Sequence, residues 1–305
     1  MLRAAFISLS ESKSLRSAAE KTWAGQRLSR RFIAGTTIEE ALAATRAVNQ
    51  LGLSVSVDNL GENVTNPDEA RHSAQLYHQM LDRMNEQSLD ANVSLKLTHM
   101  GLDVDEEMAF RISSNLVEHA ARINNFVRID MEGSPYTQRT LDFVRRLHKT
   151  PGLAGHVGAV IQSYLFRSEK DIEQLVAEGI RVRLCKGAYK EPPEIAFAAK
   201  ADVDANYVRL MKMLLKSGTY HGIATHDERM IRATIEFAER DKIPASAFEF
   251  QMLYGVRRDL QLKLIKEGWR CRVYIPFGTE WYPYFMRRLA ERPANLIFIL
   301  KNLFR

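Results

Sequence analysis

The sequence is poor in cysteine. Two of its 305 residues are Cys, Cys185 and Cys271, and neither has a second thiol or a histidine at metal-ligand spacing. That excludes a disulfide framework and a paired-cysteine zinc site; both are expected as free thiols buried in apolar strand runs, in a reducing compartment. The eight histidines offer no ligand set either, since His72 and His78 are six apart on a helical stretch and face different ways, so no metal site is expected. No run of about 18 apolar residues is present to cross a bilayer. The longest, LIFIL at 296–300, reads as part of a core helix, with an amphipathic membrane contact as the alternative. The opening MLRAAFISLSESKSLR lacks the apolar centre of a secretory signal, and Glu11 and Glu20 speak against a transit peptide, so the expected location is cytoplasmic. Also missing are HExxH, the P-loop, GxSxG, CxxC and a GxGxxG after the first strand. Basic residues are scattered rather than interleaved with aromatics, which leaves a nucleic-acid groove without support.

What is present is a globular composition, 46% hydrophobic and 26% charged, with a net charge of +6 that favours anionic partners. Residues 1–50 carry helical spacing: Leu15, Ala18 and Ala19 first, then Ile38, Leu42, Thr45 and Val48 behind an N-cap at Thr36 or Thr37. From there short β-rich runs recur at 53–57, 93–97, 126–130, 157–162, 180–186, 222–226, 248–253 and 270–274. Nearly all are separated by stretches of helical period. Eight strands alternating with helices predict an α/β fold that closes as a (β/α)8 barrel over 51–305, behind an N-terminal helical segment of 1–50. An open doubly wound sheet fits less well without the dinucleotide fingerprint.

Polar residues fall in a pattern on those strands. Lys96, Asp130, Gln162, Lys186, His226 and Gln251 lie at or near the C-terminal ends of six of them, with Thr225 beside His226. In a barrel these ends share one rim, where barrel enzymes do chemistry. The stretch RVRLCKGAYKE at 181–191 places Arg183 and Lys186 in a core strand, which calls for an anionic or electron-rich group nearby or for an internal salt bridge. Gly187 then allows close backbone approach, and Tyr189 could close over a ligand. In the last helix Tyr284, Arg287, Arg288 and Glu291 share a face; the paired guanidinium forks suit a carboxylate, or else form a solvated basic surface.

Together these motifs resemble the proline dehydrogenase family. RLCKGAY at 183–189, YIPFG at 274–278 and YFMRRLAERPAN at 284–295 carry the likeness, and SLKLTHMG, RIDMEG, VIQSYLFR, ATHDE and FEFQMLYG fill the strands between in the family's order. The length is similar to that of the short monofunctional bacterial form. The resemblance implies a distorted barrel with a final helix over its C-terminal rim and noncovalent FAD. It implies oxidation of L-proline to Δ1-pyrroline-5-carboxylate, with hydride passing from proline C5 to flavin N5 and electrons going on to a membrane quinone. Peripheral membrane contact would follow from that acceptor. Residue by residue, it implies that Arg183 sits by the reactive edge of the flavin, that Lys186, Gly187, Ala188, Gln162 and Met131 contact the cofactor, and that Thr225 and His226 hold it further along. It assigns Arg287 and Arg288 to the proline carboxylate, with Lys96, Tyr189, Tyr274 and Tyr284 around the ring. Asp130 matches the active-site aspartate, expected to order Tyr274 or Lys96 rather than to act as a base. There are two departures from the family: Cys185 stands where valine is common, and Arg292-Pro293 replaces the Asn-Gly often seen in the long fused forms, so that the last helix should end or kink near Arg292.

Two rival readings remain. A Schiff-base aldolase on the same barrel would use Lys186 or Lys96 as nucleophile and needs a lysine of depressed pKa. A noncatalytic module for an anionic partner rests on net charge alone.

Overall fold

The computed structural model describes Thr22 and residues 30–291, with the backbone alone for 287–291. The helix expected around Leu15, Ala18 and Ala19, the LIFIL tail and the Arg292-Pro293 departure lie outside the described residues.

The strands are β1 (Ser54–Asn59), β2 (Ala91–Leu95), β3 (Val127–Ile129), β4 (Val157–Gln162), β5 (Arg181–Cys185), β6 (His221–Ala224), β7 (Phe248–Leu253) and β8 (Cys271–Phe277). They close in sequence order into one parallel barrel, with β8 returning to β1. All the expected strands are there; β8 runs further than expected, through Pro276. The carbonyl of Pro276 accepts from Ala34 N–H, and its missing N–H falls on the side where β7 has already stopped pairing.

Helix α1 (Ile38–Asn49) begins at Thr37, whose hydroxyl accepts from the Glu40 N–H while Glu40 reaches back, a capping box. Its Ala41, Leu42 and Val48 join the same core as the strands, and it packs against β1 and β8. The connecting helices are α2 (Pro67–Glu86), α3 (Glu106–Arg122), α4 (Ser134–Lys149), α5 (Ser168–Ala177), α6 (Lys200–Lys216), α7 (Glu228–Arg240) and α8 (Arg258–Lys266). After β8 comes α9 (Trp281–Glu291), which does not take the usual outer place. Its Trp281, Tyr284 and Phe285 pack with Phe32, Leu60 and Val256, and Leu253 at the end of β7 borders that cluster. Helix α9 therefore sits at the rim, and α1 covers the β8–β1 flank instead.

The strands alternate strictly. Val55, Val57, Val93, Leu95, Val127, Ile129, Val182, Leu184, Phe250, Val273 and Ile275 point outward and are buried under the helices. The opposite parity faces the lumen, and there the register sets Ser56, Asp58, Ser94, Arg128, Arg183, Gln251, Arg272 and Tyr274. Barrel interiors are usually filled with branched apolar side chains. This one is filled with charge and hydrogen bonds, so burial stabilises the outer layer while the lumen is given to something else.

Candidate active site

Arg183 is the centre of the lumen. Its Nη1 donates to Asp130 Oδ1 at 2.5 Å and to Ser94 Oγ at 3.2 Å, its Nη2 to Ser56 Oγ at 3.3 Å, and its Nε to Gln251 Oε1. Side chains from β1, β2, β3 and β7 thus hold one guanidinium that β5 supplies. Ser94 Oγ also donates to Asp130 Oδ1 at 2.7 Å, and the face of Tyr274 lies 5.2 Å from the guanidinium carbon. The internal salt bridge offered as one account of this buried arginine is present, though it crosses the lumen to β3 rather than to an adjacent strand. A group held by this many contacts has a fixed orientation.

Tyr274 bridges two acids. Its hydroxyl lies 2.7 Å from Asp58 Oδ2 and 2.9 Å from Asp130 Oδ2, and Tyr77 approaches Asp58 Oδ1 at 3.1 Å. Burial, followed by the two carboxylates, pushes the Tyr274 hydroxyl well above its usual pKa, so it stays a proton donor. Burial also raises the Asp58 carboxyl, with the Lys96 ammonium pulling the other way. Lys96 lies 3.7 Å from Asp58 Oδ2 and 3.6 Å from Glu62 Oε1. Burial opposes its charge, but these acids outweigh it and hold the ammonium above the ordinary lysine value. Of the two partners expected for Asp130, the structure gives it Tyr274; Lys96 pairs with Asp58 and Glu62.

The rest of the arc runs along the rim. Gln162 ends β4 and donates to the Glu132 carbonyl at 3.0 Å, next to the buried Met131. Glu132, raised by burial, accepts from Thr98 Oγ1 at 2.7 Å and ties the turn after β2 to the turn after β3. Lys186 follows β5 and is held by Asp204 at 2.5 Å and Asp227 at 2.8 Å. Gly187 has φ +114° and is exposed, and a Cβ there would run into the Tyr164 ring. Glu191 pins the far end of this loop, accepting from Ser134 N–H at 2.8 Å and Tyr164 Oη at 3.2 Å. Tyr189, between these anchors, is near enough to Lys96 to contribute to its charge stabilisation. Thr225 Oγ1 accepts from the Asp227 N–H at 3.1 Å, and His226 Nε2 accepts from the Leu253 N–H at 2.9 Å, which leaves its proton on Nδ1.

The arc from β2 to β8 thus brings together Lys96, Asp130, Met131, Gln162, Arg183, Lys186, Gly187, Ala188, Thr225, His226 and Tyr274, with Tyr189 above. Tyr284 is buried in the apolar cluster that seats α9 at the rim. Arg287 and Arg288 fall in the last turns of α9, and their side chains lie outside the described residues. The sequence reading missed Asp58, Ser56, Ser94, Glu62 and Glu132. Strand parity in SVSVDN and NVSLK was the available signal for the first three. Neither lysine suits the aldolase reading: Lys96 is shifted the wrong way, and Lys186 is engaged by two carboxylates.

The donor set suits a flavin. Along β4 to β6 an amide, a guanidinium, an ammonium, a glycine-opened loop backbone and a threonine follow one another, a string of donors for a ring system with a polyanionic tail. Cations, acids and tyrosines at the C-terminal rim of a closed α/β barrel define an enzyme of the barrel class.

Comparison with known proteins narrows the class. Residues 41–301 match the proline dehydrogenase family model. The chain is 41% identical over 298 residues to proline dehydrogenase 2 of Bacillus subtilis, covering 98% of this chain and 97% of that one. It is 39% identical over 289 residues to proline dehydrogenase of Deinococcus radiodurans, covering 94% and 92%. Among solved structures, proline utilization A from Bdellovibrio bacteriovorus inactivated by N-propargylglycine superposes with a TM-score of 0.83 at 26% identity. That match covers 88% of this chain and 33% of the other, so this chain spans about a third of that longer protein. The chain belongs to the proline dehydrogenase family, flavin-dependent oxidoreductases of proline catabolism.

Proposed function

We propose that this chain oxidises L-proline to Δ1-pyrroline-5-carboxylate with noncovalently bound FAD, and that a membrane quinone takes the electrons onward during peripheral contact with the bilayer. The catalytic domain in this reading is 51–305, with 1–50 as a helical segment before it. The observation that carries the reading is Arg183, a guanidinium fixed by Asp130, Ser94, Ser56 and Gln251 in the middle of the barrel.

When bound, FAD supplies a two-electron acceptor for the hydride that leaves proline C5. Gln162, Met131, Lys186, Gly187, Ala188, Thr225 and His226 would hold it along the β4–β6 arc. Arg183 places a positive charge, already oriented, where negative charge grows during the reaction, so little reorganisation is needed in the transition state. Asp130 keeps Arg183 and Tyr274 in place and is not assigned as a base. Proline must lie with its ring nitrogen uncharged, so that the nitrogen lone pair can drive hydride departure. Lys96, Tyr189, Tyr274 and Tyr284 are assigned to confine the ring, and Arg287 and Arg288 to grip its carboxylate. Among the described residues no helix is long and apolar enough to cross a membrane, so membrane contact in this proposal is at the surface.

The test is an anaerobic visible spectrum before and after L-proline. Flavin bands that bleach on addition are the expected result. Bands that persist would keep the cofactor and discard the substrate, and a protein that stays colourless after incubation with FAD would overturn the reading.

A further inference from the structure

The opposite end of the barrel holds charge that the reaction does not use. Each lumen carboxylate has a cationic neighbour: Asp130 has Arg183, Asp58 has Lys96, and Glu249 has Arg272 Nε at 2.7 Å. Arg128 and Arg181, near the N-terminal ends of β3 and β5, are left over. Arg128 is 3% exposed and donates to the carbonyls of Ala159 and Arg181 at 2.9 and 2.6 Å, with its Nε unbonded. Gly158 makes this possible, because a Cβ there would meet both the Arg128 guanidinium and the Arg181 carbonyl.

Among the described residues the Arg181 guanidinium makes no hydrogen bond and no ion pair, and its Nε is buried without a partner. It is held instead by aromatic faces, 4.2 Å from the Phe126 centroid and 4.9 Å from that of Tyr220. Aromatic stacking fixes the plane of a guanidinium and leaves its edge of N–H donors unspent. Arg181 lines a cavity of about 390 Å³ at this end of the barrel, together with Asp90, Asn92, Asn125, His156 and Arg272. The facing acids are engaged elsewhere. Asp90 accepts from Ser54 Oγ at 2.6 Å, and Glu249 is taken by Arg272, Gln251 and Tyr220.

We propose that this cavity binds a small oxyanion, a phosphate ester or a polycarboxylate, with Arg181 as the principal ligand. The charge of Glu249 reaches Arg181 but is shared with Arg272, Gln251 and Tyr220, so the half-buried guanidinium keeps an open edge of donors that an oxyanion could engage. The site lies at the far end of the lumen from the Lys96–Tyr274 cluster, so its occupancy is separable from proline turnover.

The test uses the FAD-saturated enzyme, so that the cofactor's phosphate site is filled. Isothermal titration with inorganic phosphate, and separately with citrate, is run at fixed ionic strength against potassium chloride. One saturable site per chain is expected, and the tighter probe identifies the source of the anion. Arg181→Gln should weaken that site at least about tenfold while proline turnover is retained. Should that variant fold poorly, Asn85→Glu places a carboxylate at the exposed mouth of the cavity without touching the lumen, and the same loss is expected. Heats no different from chloride in the parent enzyme, or parental affinity in both variants, would overturn the proposal.

Discussion

Asp130 carries two jobs through two oxygens, one on Arg183 and Ser94 and the other on Tyr274. Asp130→Asn removes the counter-charge but keeps the shape. Breaking a buried pair from one side costs about 3–5 kcal/mol, so a lower unfolding midpoint in urea is expected, along with a fall in kcat as Arg183 loses its orientation. Tyr274→Phe is milder: two acids lose a shared donor, for about 1–3 kcal/mol, and KM for proline should rise modestly as the aromatic wall loses the hydroxyl that anchors it. The proposed carboxylate grip predicts that Arg288→Lys keeps FAD bound and raises KM strongly, because a point charge replaces a bidentate fork. An unchanged KM in that variant would remove Arg288 from the grip. The cations and acids at strand ends were legible because a charge in an apolar run stands out. Ser56, Ser94 and Asp58 were less so. Which side chains meet across a lumen depends on the stagger of the closed barrel, which no local window contains.

At the scale of elements, the loop after β5 is the part of the site most dependent on backbone. Gly187 stands in the left-handed region with the Tyr164 ring against it, and Glu191 staples the loop to α4. Gly187→Ala is expected to displace this loop and weaken FAD retention, measured as flavin released on gel filtration, with little change in the helical circular dichroism. Strands and helices were readable because their signals are short-range: all eight strands overlap the β-rich runs, though β8 continues to Phe277, and Thr37 caps α1. The division of labour between α1 and α9 was only half legible. A final helix at the rim followed from the family resemblance, but that α1 packs on β8 and β1 is a matter of long-range contact with no periodic trace.

For the whole molecule, two buried neutral histidines make a contribution to the pH dependence whose sign can be worked out. Burial, reinforced by the Lys96 charge, lowers His99 to about 4. Burial, with Arg128 and Arg181, lowers His221 to about 3, and its Nδ1 accepts from the Val182 N–H at 3.0 Å. Both bind protons more weakly folded than unfolded, so the unfolded chain gains protons first as pH falls. Stability is therefore expected to be unaffected by these groups above about pH 6.5 and to drop below it, by roughly 1.4 kcal/mol per pH unit for each histidine until its folded value is reached. Chemical denaturation at stepped pH checks this, and His99→Gln should flatten the slope between 6.5 and 4.

The two-sided strands also determine how such a protein can change over generations. An outward residue such as Val57 or Ile129 answers only to the volume left by the helices, so apolar exchanges there are nearly independent of one another. A lumen residue answers to partners on other strands: Arg183 to Asp130 and Gln251 across the lumen, Glu249 to Arg272 on the strand beside it. Those positions can drift only in matched sets, each single step passing through a buried charge left alone. The inner surface is a ratchet and the outer one is free to wander, although both are written in the same strands of three to seven residues.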